Sequence, residues 1–249
     1  MTGSIVAMNK SLVDYEALTF DVYGTLIDWE TGIWSAFQPL LASNGAGHAR
    51  IEVLSLFGEL EAEQESATPD LIYPEVLSLV HHSVAESLGL VTDAELDRAF
   101  GSSVPDWPAF PDSSQALASL AERFRLVVLS NVNRSGFAAS NRRLEAVFDA
   151  VYTAEDIGSY KPDPANFDYL LDHLESDFGI LPEGILHVAQ SLFHDHAPAK
   201  AAGLSTVWID RQRLSQGGEW GATRRLDERP DPDHVFFTMA DLAAAVDRV

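Results

Sequence analysis

The chain has 249 residues and a mass of 27.2 kDa, enough for one substantial core in one or two domains. It contains no cysteine, which excludes disulfides, thiolate metal sites and a cysteine nucleophile. With 16 Lys and Arg against 38 Asp and Glu, the formal charge is −22, so the surface repels polyanions and nucleic acid is not expected as a partner.

Mean hydropathy is −0.02, and no apolar stretch approaches the roughly 18 residues a membrane span needs. The segment from Met1 to Lys10 lacks the cationic start and apolar run of an export signal. These readings predict a soluble, cytoplasmic protein with no membrane partner.

In chain order, the first element is a short apolar run, Ala17 to Phe20, that ends at Asp21 and turns at Gly24-Thr25. This reads as a buried strand entering a loop. Residues 31–107 follow with helix-like stretches and no convincing strand: Gly32 to Leu41, His48 to Gln64, Tyr73 to Leu88 and Asp93 to Phe100, closed by Pro105, Pro108 and Pro111. Beyond them, apolar runs at Leu126 to Leu129, Val151 to Thr153, Ile185 to Val188 and Thr206 to Ile209 alternate with helical stretches. Those helices are expected over Ser113 to Arg123, Arg142 to Val147, Pro164 to Leu174 and His196 to Ala202.

Strands alternating with helices predict an α/β fold: a Rossmann-like, doubly wound parallel sheet, from residues 1–30 and 108–249, carrying residues 31–107 as an inserted helical cap. Gly217, Gly218 and Gly221 beside Arg224 and Arg225 read as a mobile loop.

Four polar positions fall at or just past strand ends: Asp21, Ser130-Asn131, Lys161 and Asp195. In a parallel sheet those ends lie along one edge, so groups far apart in sequence can meet there. Taken singly, each reads as a helix cap or turn residue.

Their order resembles the haloacid dehalogenase superfamily. The run from Phe20 to Leu26 matches its first motif, Leu129 to Asn131 its second, Tyr160 to Asp163 its third, and Asp195 its fourth. Phosphatases of that superfamily place a second Asp two residues after the nucleophile, whereas this chain has Tyr23. A phenol with a pKa of about 10 does not shuttle protons as a carboxylate does. The pattern resembles the L-2-haloacid dehalogenases, in which halide leaves unassisted by an acid.

The resemblance implies that Asp21 attacks the halogen-bearing carbon of a short 2-haloacid and that water hydrolyses the resulting ester to the 2-hydroxyacid. It implies that Lys161 keeps Asp21 ionised, that Asp195 pairs with Lys161, and that Thr25, Ser130 and Asn131 donate hydrogen bonds to Asp21 and substrate. Tyr23, Gln190, Ser191 and His194 are the further candidates for substrate contact. The partner is then a small halogenated carboxylic acid, with a homodimer left open. No cofactor is expected; magnesium enters only in the alternative, a phosphatase or phosphonate hydrolase in which the ion bridges Asp21 and Asp195.

The chain departs from the resembled enzymes at three places. The fourth motif, Val188 to His196, carries one extra residue before Asp195. The cap segment that supplies a halide-binding arginine reads Leu56 to Gln64 with no arginine, and its Glu59, Glu61 and Glu63 read as a solvated helix face. The position of an expected aromatic hydroxyl is Phe167. Without the arginine, Asn131, the indoles of Trp29 and Trp34, and protonated His194 or His196 are the expected donors to departing halide, with the histidines alone able to restore a positive charge.

Overall fold

A computed structural model describes residues 10–249; the reading of the first residues as lacking an export signal lies outside the described residues. The strands are β1 (Ala17–Phe20), β2 (Arg125–Ser130), β3 (Ala150–Thr153), β4 (Ile185–Ala189), β5 (Ser205–Ile209) and β6 (His234–Phe236). All pair in parallel, in the order β3-β2-β1-β4-β5-β6. The four residues of β1 are all buried, as expected of a central strand covered on both faces.

Successive strand residues serve opposite faces. Leu18 and Phe20 of β1 join Leu126 and Val128 of β2 in one cluster, with Leu117 and Leu120 of α5 (Ser113–Leu120) and Leu242 and Val246 of α10 (Met239–Val246). Ala17, Val127 and Leu129 face the other way, against Phe167, Leu170 and Leu174 of α8 (Pro164–Phe178) and Ala199 of α9 (Ala197–Ala201). Phe167 thus belongs to the core.

Between β1 and α5 lie four helices: α1 (Trp29–Ser43), α2 (Arg50–Ala67), α3 (Tyr73–Ser87) and α4 (Ala94–Gly101). They pack on one another around Phe37, Phe57 and Phe100, with ring centroids 4.4 Å apart for Phe37 and Phe100. The cluster is continuous with the sheet's first face. Among the described residues no helix is long and apolar enough to cross a membrane.

The structure departs from the expected elements in four places. The helix after β2, α6, spans Arg134–Leu144 rather than Arg142 to Val147; few of its residues are apolar, which leaves little periodicity to mark it in the sequence. The strand β6 is three half-exposed residues and leaves no apolar run to detect. The stretch before α9 is a π-helical turn over Leu192–His196, in which Asp195 and His196 both donate backbone bonds to Ser191 O at 3.3 and 3.2 Å. A π turn holds one residue more than an α turn, and the extra residue in the fourth motif is absorbed there.

At its Gly221 end the glycine-rich segment packs against the cap, while Gly217 and Gly218 are exposed. A β-carbon on Gly221 would stand 1.5 Å from Glu30 Oε1, and Ala222 N donates to that oxygen at 2.9 Å. The short helix α7 (Ala154–Ile157) completes the fold.

Candidate functional site

In this strand order β1 stands between β2 and β4, so the crossovers leave in opposite directions and open a crevice at its carboxyl end. Asp21 sits there, 7% exposed, with its N–H bonded to Val188 O at 3.1 Å. Its side chain is held on both oxygens. Thr25 Oγ1 donates to Oδ2 at 2.6 Å, and Lys161 Nζ donates to Oδ1 at 3.0 Å. Thr25 Oγ1 itself accepts from Gln190 N at 2.9 Å, which fixes the direction of its proton toward Asp21.

The Lys161 ammonium is 1% exposed. It also donates to Asp195 Oδ1 at 2.6 Å and to Leu129 O at 3.0 Å, so its three hydrogens are all used. Asn131 clamps the same residue from its backbone: its Oδ1 accepts from Lys161 N at 2.7 Å and its Nδ2 donates to Lys161 O at 3.0 Å. This pairing sets the orientation of the Asn131 amide. Asp21, Asn131, Lys161 and Asp195 therefore meet at one sheet edge, joined by Thr25 from the loop after β1.

The electrostatics of the cluster are unequal. Burial pushes the Asp21 carboxyl above the usual carboxylate range against the pull of Lys161. For Asp195 the Lys161 ammonium and His187 outweigh burial and hold it well below that range. Burial pulls Lys161 down, but the two carboxylates outweigh it and its pKa stands above the ordinary lysine value. The stronger partner of Lys161 is thus Asp195, and Asp21 remains the more basic carboxylate.

Other candidates stand elsewhere. Ser130 Oγ accepts from Val132 N at 3.4 Å and makes no hydrogen bond to Asp21. The Gln190 side chain turns away to Gln212 and Thr223, at 2.8 and 3.2 Å. Tyr23 lines the cavity above Asp21, yet its hydroxyl bonds to Ser140 Oγ at 2.8 Å, and burial pushes its pKa further up. Ser191 Oγ caps the π turn, accepting from His194 N at 3.0 Å, and both residues line that cavity. Trp34 is only half-buried, packed against the apolar cluster.

Burial pushes His194 and His196 down to about 4, so both are neutral at pH 7 and neither restores the missing cation. His196 Nε2 is bonded to Ala189 O at 3.0 Å in any case.

Two residues that matter here, His187 and Glu65, were not singled out from the sequence, and a third, Glu61, was read differently. His187 bonds Asp195 Oδ1 through Nε2 at 3.0 Å and Thr19 Oγ1 through Nδ1 at 2.8 Å; Thr19 and His187 are register partners on β1 and β4. Glu61 and Glu65 of α2 are 2% and 3% exposed, correcting the reading of Glu61 as solvated, and both face the Asp21 cavity. The signal for them was their spacing, since Phe57, Glu61 and Glu65 recur every four residues on the buried face of one helix.

The inner cavity is narrow, about 30 Å³, and Glu65 and Lys161 also line a wider one of about 320 Å³ whose rim carries Arg224.

A parallel sheet with a helical cap over an aspartate–lysine–aspartate cluster at its switch point defines a capped α/β hydrolase. A family model described as haloacid dehalogenase-like hydrolase matches residues 15–203, and the chain belongs to that family. It is 28% identical over 205 residues to (S)-2-haloacid dehalogenase 1 of Pseudomonas sp. (strain CBS-3), covering 78% of this chain and 84% of that one. It is also 26% identical over 245 residues to pyrophosphatase PpaX of Bacillus pumilus (strain SAFR-032), covering 96% and 99%. The solved L-2-haloacid dehalogenase from Xanthobacter autotrophicus shares the fold, with a TM-score of 0.75 at 21% identity over 94% of this chain and 98% of that one.

Proposed function

We propose that the chain is a hydrolytic dehalogenase of short 2-haloacids, with residues 31–107 as its cap and Asp21 as the nucleophile. One carboxylate oxygen of Asp21 forms a bond to the halogen-bearing carbon as the carbon–halogen bond breaks and halide leaves with the electron pair. Water then attacks the ester carbonyl, releasing the 2-hydroxyacid, a proton and the free Asp21 carboxylate. Burial favours the first step by leaving the carboxylate poorly solvated and basic. Thr25 and Lys161 orient it and stabilise the charge that returns to it on hydrolysis. Arg224 and Lys161 are the cations lining the wider cavity, where they attract a carboxylate substrate.

The observation that carries this reading over the phosphatase alternative is Tyr23. Its hydroxyl is spent on Ser140, so the position two residues after Asp21 offers no group that protonates an alkoxide. Magnesium, which that alternative requires, meets a poor donor set. The facing oxygens of Asp21 and Asp195 both hold the Lys161 ammonium, and among the described residues no three His, Asp or Glu side chains are grouped to hold a metal ion. Magnesium prefers six oxygen ligands in near-octahedral array. The two steps of the proposed reaction need no metal ion.

The test is halide release from chloroacetate and both enantiomers of 2-chloropropionate, beside phosphate release from a generic phosphomonoester, each with magnesium and with EDTA. Halide release that is indifferent to EDTA is the expected result. Phosphate release dependent on magnesium, with no halide release, would overturn the reading.

A further inference from the structure

A halide leaving carbon inside a dry cavity needs hydrogen-bond donors, and this cavity offers no arginine, a fully committed lysine and a neutral histidine. The cavity is instead rich in carboxyl groups. Asp21, Glu61, Glu65 and Asp195 all line it, against the single ammonium of Lys161, whose hydrogens go to Asp21, Asp195 and Leu129 O. Four buried carboxylates facing one cation is an arrangement that takes up protons rather than stand charged.

The cap pair is where the protons go. Glu61 Oε1 accepts from Tyr73 OH at 2.6 Å, and its other oxygen makes no hydrogen bond among the described residues. Glu65 accepts from Asn131 Nδ2 at 3.2 and 3.1 Å. A protonated carboxyl carries an O–H to give. A second, independent observation lies beside it: Trp29, 6% exposed, lines this cavity, and its indole N–H, next to Gly24, is buried without a partner.

We propose that the halide departs onto neutral donors, the carboxyl O–H of Glu61 and the indole N–H of Trp29, in place of a cationic side chain. This deepens the dehalogenase reading and rests on it. As Asp21 bonds to carbon, the halogen takes the electron pair of the broken bond and accepts both hydrogen bonds, while the proton stays on Glu61. The overall balance is R–X plus water giving R–OH, halide and a proton.

Burial holds Glu61 up at about 8, with Tyr73 opposing and Asp21 reinforcing it. The groups facing it titrate elsewhere. Tyr23, Tyr73 and Tyr160 are pushed above the ordinary phenol, Asp195 and Lys161 hold each other charged, and His194 is neutral. Burial, reinforced by Glu61, pushes Glu65 well above the usual carboxylate range as well.

The experiment is calorimetric titration of the protein with sodium bromide at constant ionic strength, from about pH 6 to about pH 9.5. In the parent, bromide binding should weaken about tenfold per pH unit above about 8, because only the protonated carboxyl receives the anion. Glu61→Gln keeps a neutral N–H donor of the same shape, so it should bind bromide with no pH dependence, and Trp29→Phe should weaken binding about tenfold at every pH. A parent affinity flat across that range, an unchanged pH slope in Glu61→Gln, or a folded Glu61→Gln that no longer binds bromide would each overturn the proposal. The titration reads the site without turnover. Failure to release bromide from 2-bromopropionate would instead remove the dehalogenase reading itself.

Discussion

Gly58, in the middle of α2, lies so close to Ala222 that a β-carbon at residue 58 would stand 2.0 Å from the Ala222 carbonyl oxygen. The cap helix and the loop after β5 meet there backbone to backbone, and the seam continues where Ala222 N donates to Glu30 Oε1 and Thr223 Oγ1 donates to Gln190 Oε1. Alanine in a helix ordinarily gains about 0.5–1 kcal/mol over glycine, but here the added carbon meets backbone, which cannot swing aside. Gly58→Ala is expected to lose about 1–3 kcal/mol net, the usual result of overpacking, and to lower halide release. Urea unfolding checks the first; a stabilised variant would mean the seam yields freely.

The three-way sharing of Lys161 predicts a severe effect from Lys161→Met. Asp21 and Asp195, both buried, would lose their only ammonium, and breaking a buried pair from one side costs about 3–5 kcal/mol. Halide release should fall by at least about a hundredfold, as on removing one donor from a charged site. Activity within a few-fold of the parent would show that the ammonium neither orients nor stabilises Asp21.

Tyr23→Phe is expected to be mild. The hydroxyl bonds to Ser140 rather than to Asp21 or the cavity, so its removal should cost about 1 kcal/mol of stability and leave halide release within a few-fold. A loss of two or more orders of magnitude would return Tyr23 to the chemistry.

Buried groups tilt stability with pH in opposite directions. His196, 0% exposed and held at about 4, binds its proton more readily unfolded, near the ordinary value of about 6.5. Its contribution is present above about 6.5 and is lost as pH falls toward about 4. Glu61 behaves oppositely: raised to about 8, it favours the folded state below the ordinary glutamate value and loses that contribution as pH rises through about 8. Relative to the parent, His196→Asn should lose less stability on acidification between about pH 6.5 and 4.5, and Glu61→Gln less on going from about pH 5 to 9. Denaturant midpoints at those pH values measure both differences, and equal slopes in variant and parent would contradict the assignment.

The sheet was legible because its central strands are continuous apolar runs, Ala17 to Phe20 and Leu126 to Leu129 among them, and parallel order then brought Asp21, Asn131, Lys161 and Asp195 to one edge. Strand β6 was not legible, since three half-exposed residues carry no periodicity. The cap carboxyls were misread because Glu59, Glu61 and Glu63 alternate along the sequence, which suggests a polar face, whereas helical spacing separates Glu59 and Glu63 from Glu61 and joins the latter to Phe57 and Glu65. Nothing in the local sequence fixes the partner of Asn131 or turns Gln190 away; those follow from where the backbone of Lys161 and the loop at Thr223 arrive. The extra residue before Asp195 was visible, but its accommodation as a π turn depends on tertiary packing.

The central claim is that Asp21 itself becomes esterified. A single turnover of 2-chloropropionate, with enzyme in excess, in heavy-oxygen water tests it most directly. The account predicts that the lactate formed carries no heavy oxygen, because its new hydroxyl comes from Asp21, while the peptide containing Asp21 gains one. Heavy oxygen in the lactate after that first turnover, with an unlabelled Asp21 peptide, would mean that water attacks the substrate directly and would contradict the account.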